Sequence, residues 1–314
     1  MNFTRVISNI LNHPFNRQHK LKAFQRFIKW QLASKILNYP VIVPFTDKTW
    51  LIIKKGMTGA TGNYYCGLHD FEDMVFLMHF LRKEDLFIDV GANIGSYTIL
   101  SSGHVGANTI SVEPVPSTFK NLMNNIAINH ILPKVKPLNI ALGHEKTELL
   151  ITSTYDTINN IKYKEEEGTV KVTVDTLDNI IEPDHSNILL KIDVEGFEAA
   201  VLKGSNKLLS NPAVKAIIME LNGLGEQYGF DEKEMHYFLL QQGFNTYSYS
   251  PYERKLTQKN KLDINNTLYI RNEEFVKKRL SEAVVINIAG QQIYALRKKI
   301  PFRYLLKIKK LYQI

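Results

Sequence analysis

The sequence predicts an α/β protein built on a doubly wound, mostly parallel sheet that antiparallel strands close. From residue 86 onward, short apolar runs at 86–90, 109–112, 135–141, 188–192 and 216–221 are typical of buried strands. Helical patterns near 95–103, 116–129, 196–210 and 231–242 lie between or after them. Such alternation indicates parallel strands joined by helical crossovers. Two further runs near 245–249 and 266–271 predict the antiparallel closing strands.

The residues upstream of this region follow a different sequence pattern. Residues 18–38 carry apolar side chains at three- and four-residue spacings, which predict a helix. We expect a short hairpin over 39–53, a glycine-rich loop over 56–67 and a helix over 70–81. The resulting division has three parts: a basic helix and hairpin extension at 1–55, an α/β domain at 56–271, and a basic helical extension at 272–314.

The net charge of +8 is concentrated at the two ends of the chain. Residues 1–38 carry seven lysines and arginines and no acid, as do residues 296–314, so the rest holds 25 basic and 31 acidic residues, net −6. A nucleic-acid-binding domain would carry basic groups on the body of its fold, so no nucleic-acid partner is expected. Basic residues interleaved with apolar ones favour either amphipathic helices on an anionic membrane surface or a solvated basic face.

Neither a disulfide framework nor a membrane span is expected. Cys66 is the single cysteine, and a small buried apolar role is its expected one. No run of about 18 apolar residues occurs, and polar residues interrupt the N-terminus too early for a signal peptide. The sequence therefore predicts a cytoplasmic location, with peripheral contact at the inner membrane surface as an open alternative.

A glycine loop follows the first strand of the α/β region. The string Asp89-Val-Gly91-Ala-Asn93-Ile-Gly95 leaves an apolar strand and leads into a helix. Glycine at 91 and 95 permits a positive φ and lets a ligand lie against the backbone. The loop lacks the lysine of a phosphate-binding P-loop, and Thr98 stands where the dinucleotide fingerprint has its third glycine. This loop predicts a nucleotide-like ligand.

Two acidic residues select among such ligands. Asp89 would repel a pyrophosphate but attract the cationic amino group or sulfonium of S-adenosylmethionine. Glu113 ends the second strand, 22 residues beyond Gly91, where an acid can accept hydrogen bonds from both ribose hydroxyls. The charges favour S-adenosylmethionine over NAD, and an NAD-dependent oxidoreductase remains the alternative interpretation of the loop.

Over about residues 60–255 the chain resembles the FkbM family of methyltransferases. The resemblance rests on the strings at 87–95 (FIDVGANIG), 112–116 (VEPVP), 139–143 (NIALG), 176–178 (TLD) and 190–198 (LKIDVEGFE). It implies a Rossmann-like class I methyltransferase fold that moves the methyl group of S-adenosylmethionine to an oxygen, often on a saccharide or another small metabolite. A glycolipid precursor is a second kind of acceptor that we expect if the basic ends touch a membrane.

The same resemblance assigns cofactor contacts by position. It implies that the methionine side of the cofactor is lined by Asp89, Gly91, Asn93 and Gly95, the ribose by Glu113, and the adenine by Asn139 and Ala141. Similar sequences often continue residues 156–159 with a histidine, whereas this chain has Asn160. If that histidine is a base elsewhere, another group must serve here.

Carboxylates at the ends of two strands are the candidates for catalysis. Asp193 and Glu195 follow the strand at 188–192 and point the same way while the strand continues, and Glu220 ends the next strand. Neighbouring like charges raise one pKa, which suits a base that accepts a hydroxyl proton. Two alternatives stay open: an acid here caps the following helix, or Asp193, Glu220 and Asn222 hold a Mg²⁺ ion.

The sequence leaves the acceptor unidentified. We expect its pocket to be built by the hairpin near 40–55, the loop at 56–67 and the segment at 156–168, none of which contains a ligand-specific motif. A non-catalytic scaffold that retains the methyltransferase fold is the remaining alternative, and the intact loop and the Asp193 and Glu195 pair argue against it.

Overall fold

The computed structural model describes residues 3–152, 161–162, 167–182, 186–259 and 266–293. The strands in these ranges are β1 (Val41–Pro44), β2 (Trp50–Ile53), β3 (Leu86–Val90), β4 (Asn108–Val112), β5 (Val135–Leu138), β6 (Ala141–Leu142), β7 (Thr147–Thr152), β8 (Ile161–Lys162), β9 (Thr169–Asp175), β10 (Ile188–Ile192), β11 (Val214–Glu220), β12 (Asn245–Ser250), β13 (Lys255–Gln258), β14 (Asn266–Ile270), β15 (Ile286–Ile288) and β16 (Gln291–Ile293). The α-helices are α1 (Phe3–Asn12), α2 (Lys20–Ile36), α3 (Thr58–Cys66), α4 (Phe71–Phe80), α5 (Ser96–Thr98), α6 (Pro116–Ile128), α7 (Leu177–Ile180), α8 (Glu198–Lys203), α9 (Asn206–Ser210), α10 (Glu232–Gln241) and α11 (Glu273–Ser281). Helix α5 continues as a π-helix, Ile99–Val105, and 3₁₀ turns occupy Leu132–Lys134 and Leu224–Tyr228.

The central sheet has eight strands in the order β13, β12, β14, β11, β10, β3, β4, β5. Strands β5, β4, β3, β10 and β11 run parallel, and β14 pairs with β11 in the antiparallel sense. Strands β12 and β13 extend that edge by antiparallel pairing. The predicted Rossmann-like α/β fold is therefore confirmed. Strand order reverses between β3 and β10, which is where open α/β sheets form a ligand crevice.

Two apolar cores cover the faces of this sheet. Strands β3 and β10 are buried along their whole length. Phe87 and Leu189 belong to the core that contains α4, whereas Ile88 and Leu190 belong to the core that contains α8 and α10. Successive side chains of a strand point to opposite faces, so continuous apolar runs are required where helices cover both sides.

The N-terminal hairpin of β1 and β2 is joined to the glycine loop by a single buried amide. Oδ1 of Asn125, on α6, accepts the backbone N–H of Ile52 at 2.9 Å. Its Nδ2 donates to the carbonyl oxygen of Ile94 at 2.8 Å. Asn129, one turn later, makes similar bonds to both backbone groups of Trp50. The hairpin thus packs on the α/β domain through specific polar contacts.

Three segments differ from the sequence-based expectation. The residues expected to form a glycine-rich loop at 56–67 instead form α3 over most of that range. Packing explains this helix, because Tyr64 and Tyr65 contact Trp30 and Phe27 of α2, with ring centroids 6.2 and 5.3 Å apart. The helix expected at 196–210 is interrupted between α8 and α9. The strand expected at 135–141 ends with β5, and β6 joins a separate sheet of order β6, β9, β7, β8.

The segment expected as a helical C-terminal extension begins with α11 and continues into a hairpin of β15 and β16. Helix α11 packs on the domain, since Arg279 binds the buried carboxylate of Asp85 and lies 5.4 Å from the ring centroid of Phe80 on α4. Residues 294–314 lie outside the described part of the chain. The three-part division of the chain stays a prediction. None of the described helices combines the length and the apolar character needed to cross a bilayer.

Candidate active site

A cavity of about 390 Å³ opens at the carboxyl ends of β3, β4, β10 and β11. Helix α3 supplies part of its wall through Thr58, Gly59 and Asn63, and Ile140 and Ile151 give it an apolar end. The amide of Asn63 donates to the hydroxyl of Ser96 at 3.0 Å and so ties α3 to the glycine loop. The cavity lies at the strand-order reversal, the position expected for a ligand.

The glycine loop has the backbone geometry that its sequence predicts. Gly91 and Gly95 have φ of +75° and +89°, and Asn93 shares this left-handed region at +51°. A Cβ on Gly91 would lie 1.8 Å from the carbonyl oxygen of Asp193, and one on Gly95 would lie 2.5 Å from Cδ1 of Leu122. Both glycines are therefore required by close packing inside the protein. Gly91 and Asn93 line the cavity, whereas Gly95 lies beside α6 and outside the lining.

Asp89 lies behind the cavity and not in its wall. The side chain is 1% exposed, its Oδ2 accepts the hydroxyl of Thr98 at 2.7 Å, and Oδ1 has no hydrogen-bond partner among the described residues. Burial raises the pKa of Asp89, and the charge of Lys191 acts against that rise. The structure thus places Asp89 behind the lining residues, and its contact with the cofactor's cationic end stays a prediction.

Glu113 lies in the cavity wall as predicted for a ribose-binding acid. Its Oε2 accepts the N–H of Asn93 at 3.0 Å, and its Oε1 accepts the N–H of Val115 at 2.9 Å. Burial raises the pKa of Glu113 to about 7, although both backbone donors favour the carboxylate. The side chain thus joins the end of β4 to the glycine loop and keeps further lone pairs for a ligand.

The two residues predicted near adenine are placed differently. Ala141 lines the cavity. Asn139 does not, because its Nδ2 donates to the carbonyl oxygens of Glu113 and Pro114 at 2.8 and 2.9 Å. Asn139 thus holds the backbone around Glu113, and its contact with the adenine stays a prediction.

The three predicted catalytic carboxylates converge. Oxygen atoms of Asp193, Glu195 and Glu220 lie within 4.8 Å of one another, and all three side chains are half-buried in the cavity wall. Register explains the meeting, because β10 and β11 are adjacent parallel strands that end at the same edge. Glu195 has φ of +54°, a left-handed conformation that turns the chain after β10.

Crowding of the carboxylates changes their proton affinities. Burial, followed by the charges of Asp193 and Glu195, raises the pKa of Glu220 to about 9, and Glu220 hydrogen-bonds Asp193. Burial and the charge of Asp193 raise the pKa of Glu195 to about 7. Crowding thus favours protonation within the cluster, and a carboxyl group whose pKa is raised towards neutral suits proton exchange with a hydroxyl.

Glu198 does not join this cluster. Its Oε1 accepts the backbone N–H groups of Val194 and Gly196 at 3.0 and 3.2 Å, at the start of α8. This is the helix-capping role that the sequence left open for an acid of this string. Asn222 is likewise occupied, with Nδ2 donating to Glu220 and Oδ1 accepting from the N–H of Leu224.

Lys191 is a site residue that the sequence reasoning missed. Its side chain is 3% exposed, and Nζ lies 2.7 Å from Oδ2 of Asp193 and 4.9 Å from the ring centroid of Tyr97. Burial disfavours the ammonium, but the charges of Asp193 and Asp89 outweigh it and raise the pKa of Lys191. The available signal was a lone lysine in the apolar run ILLKI.

Part of the predicted acceptor pocket lies outside the described residues, including 156–159 and Asn160. The β1 and β2 hairpin contributes no residue to the described lining, whereas α3 does.

Comparison with known proteins gives concordant matches. A sequence profile described as "Methyltransferase FkbM domain" matches residues 89–246. The hexuronic acid methyltransferase AglP of Haloferax volcanii is 27% identical over 54% of this chain and 67% of its own length. The methyltransferase sdnD of Sordaria araneosa is 27% identical over 51% of this chain and 79% of its own length. A solved S-adenosylmethionine-dependent O-methyltransferase from Thermotoga maritima aligns with a TM-score of 0.35 at 10% identity, covering 65% of each chain.

Proposed function

The chain belongs to the FkbM family of S-adenosylmethionine-dependent methyltransferases, and we propose that it methylates a hydroxyl oxygen of a small, sugar-like acceptor. One observation carries the proposal: Glu113, beside the glycine loop, and the carboxylates of Asp193, Glu195 and Glu220 line the same cavity. A donor site and a group able to accept a hydroxyl proton are thus adjacent. Family membership sets aside the NAD-dependent oxidoreductase interpretation of the loop.

The described residues fit the donor. S-adenosylmethionine, when bound, supplies an electrophilic methyl group on sulfur. Glu113 would hold the ribose, since each of its oxygens already accepts one backbone N–H and has capacity for a hydroxyl. The backbone at Gly91 and Asn93 would follow the methionine portion, and the apolar end at Ile140 and Ala141 would enclose the adenine.

The catalytic step needs orientation and a proton acceptor. Transfer to oxygen is an in-line displacement, so holding the acceptor hydroxyl in line with the methyl group supplies much of the rate. We assign Glu195 as the base, because its pKa of about 7 lets it be ionised and still take up a proton near neutral pH. Asp193, held by Lys191 and by the proton of Glu220, would orient the hydroxyl.

The charge of the cavity indicates the kind of acceptor. Five acidic side chains line it, and only that of Glu220 has a pKa raised well above neutral, whereas Lys191 is the one lysine or arginine among the described lining residues. An anionic acceptor would meet repulsion there, so a neutral saccharide or a glycolipid precursor with a free hydroxyl fits better. The name of the Haloferax relative supports a sugar as the acceptor. That name specifies a hexuronic acid, which is a charged sugar, so comparing a uronic acid with a neutral saccharide tests the expected preference for a neutral acceptor.

A Mg²⁺ ion is the second way to hold three carboxylates together. Asp193, Glu195 and Glu220 offer hard oxygen ligands at suitable mutual distances. Lys191 and the shared proton already neutralise part of this charge, and Asn222, proposed from the sequence as a ligand, has its oxygen occupied. We therefore favour an arrangement in which the three acidic side chains share protons over one in which they bind a metal ion.

The test is formation of S-adenosylhomocysteine by the purified full chain with a panel of neutral and uronic acid saccharides. Turnover with a neutral sugar supports the proposal, and Glu195→Gln should remove most of it while donor binding by calorimetry remains. Donor binding without turnover on any member of the panel favours the scaffold alternative, and absence of donor binding overturns the proposal. Loss of turnover in EDTA that Mg²⁺ restores would favour the metal arrangement.

A further inference from the structure

Helix α2 carries an apolar face that is largely open to solvent among the described residues. We propose that this face docks the protein on an anionic lipid bilayer, with the helix lying in the plane of the membrane surface. The face consists of Leu21, Phe24, Leu32 and Ile36, which we call the docking stripe. The docking itself is independent of the proposed catalytic function.

Two opposite faces of α2 are apolar, and one of them is used for packing. Ala23, Phe27 and Trp30 are buried against the protein. Phe27 and Trp30 make ring contacts with Tyr65 and Tyr64 of α3. An amphipathic helix on a protein surface needs one apolar face only. The second face therefore requires a different explanation.

The docking stripe is largely open to solvent. Leu21, Leu32 and Ile36 are 71, 59 and 78% exposed, and Phe24 is 39% exposed. With 3.6 residues per turn, these four side chains fall on one side of the helix, opposite the buried face. Ile28 falls in the middle of this side and is partly buried against a cluster that includes Ile10 of α1, so the exposed residues form a pair at each end of the helix. Single exposed apolar residues are normal, but several grouped on one helix side mark an interaction surface.

The charges around the stripe identify its partner. Exposed lysines flank it, Lys22 and Lys29 along one side and Lys20 and Lys35 along the other, and residues 1–38 contain no acid. Two copies of this face would bring lysine against lysine, so charge opposes self-association. A bilayer with anionic headgroups offers both parts of the complement, negative charge at its surface and an apolar layer just below.

The position of α2 links this surface to the cavity. Helix α3 lies against α2 through Tyr64 and Tyr65, and the same helix contributes Gly59 and Asn63 to the cavity wall. One helix thus separates the docking stripe from the ligand site. Docking would hold the cavity close to the bilayer, where a lipid-linked acceptor is presented; this consequence, unlike the docking, rests on the proposed function.

Co-sedimentation of the full chain with phospholipid vesicles tests the proposal. We expect binding to phosphatidylserine-containing vesicles, much weaker binding to pure phosphatidylcholine, and a large fall between about 0.1 M and about 1 M salt as the charges are screened. The double variant Leu32→Glu with Ile36→Glu should bind at least about tenfold more weakly, because it places charge in the apolar layer.

The matched control is Tyr237→Glu on α10, an equally exposed apolar position at 63%, in a helix that packs on the opposite face of the sheet. It should bind vesicles as the unmodified chain does. Calorimetric donor binding by each variant verifies that the fold is intact. Unchanged vesicle binding by the double variant overturns the proposal, as does its absence in the unmodified chain at low salt. A dimer in solution that the double variant dissociates, without vesicle binding, would assign the stripe to self-association instead.

Discussion

The ammonium nitrogen of Lys191 lies 2.7 Å from Oδ2 of Asp193, in the wall of the cavity. Lys191 is 3% exposed, and Asp193 is one-third exposed and reaches the ligand space. A buried cation thus stands under the acid cluster and fixes the carboxylate nearest the strand end. This arrangement makes Lys191 a positioning residue for the site.

Replacing this cation should destabilise the protein. We expect Lys191→Met to lower the free energy of unfolding by about 3 kcal/mol, because it leaves buried carboxylates without their counter-charge. Chemical denaturation measures the change. The matched variant is Lys171→Met, whose ion pair with Glu148 is more than half exposed on both sides and should contribute at most about 1 kcal/mol. Equal effects of the two variants would contradict the proposed role of Lys191.

The contact of Gly91 with Asp193 predicts intolerance of any side chain. Gly91→Ala would place a Cβ 1.8 Å from a backbone oxygen that cannot rotate away, so we expect a loss of at least about 3 kcal/mol and of donor binding. Gly290 has a similar φ of +72° but open space around it. Gly290→Ala should therefore cost only about 1 kcal/mol of left-handed strain. Thermal unfolding of both variants separates steric from conformational cost.

The assignment of Glu195 as base predicts the pH dependence of turnover. The rate should rise with pH up to about 7, the pKa of Glu195, as the carboxylate forms, and then level off. Glu195→Gln should lower kcat by about 100-fold or more and abolish that rise. Steady-state kinetics between acidic and alkaline pH measure both. A variant that keeps the same ascending limb would show that another group is the base.

Glu113 predicts a pH dependence of stability. Its pKa in the folded protein is about 7, above the ordinary 4.5, so its stabilising contribution is full below about 4.5 and is lost as the pH rises through 7. The side chain is 6% exposed, and the loss is on the order of 3 kcal/mol. Glu113→Gln adds a cost that does not depend on pH, since its amide opposes one backbone N–H.

The pH-dependent contribution of Glu113 can be isolated by measuring the free energy of unfolding of the unmodified chain and of Glu113→Gln at pH about 5 and about 8. The fall in stability between the two pH values should be smaller in the variant. Equal falls would mean that Glu113 does not carry the raised pKa.

The sequence predicted those elements whose residues are fixed by local pattern. Strands β3 and β10 begin and end where the apolar runs at 86–90 and 188–192 do, because burial on both faces favours apolar residues; Asp89 and Lys191 are their polar exceptions. The positive φ of Gly91 follows from the end of β3, and the wall position of Glu113 follows from the end of β4.

Contacts between segments that are distant in the sequence could not be predicted from local pattern. Helix α3 contains Gly59 and Gly62, which disfavour a helix, and it forms because its tyrosines pack on α2. The amide of Asn139 is turned towards the backbone of Glu113 by the turn after β5. The role of Lys191 could have been predicted from the sequence, since a lysine in an otherwise apolar strand requires buried carboxylates as partners.

The buried amide of Asn125 has a consequence for how the chain can be divided. It accepts from Ile52 in the hairpin and donates to Ile94 in the glycine loop. A fragment that begins at residue 56 would keep every residue of the 89–246 match, yet Oδ1 of Asn125 would lose the Ile52 N–H that it accepts in the full chain. We therefore expect the hairpin within the first 55 residues to help hold the glycine loop in place, because it binds the same amide that binds Ile94.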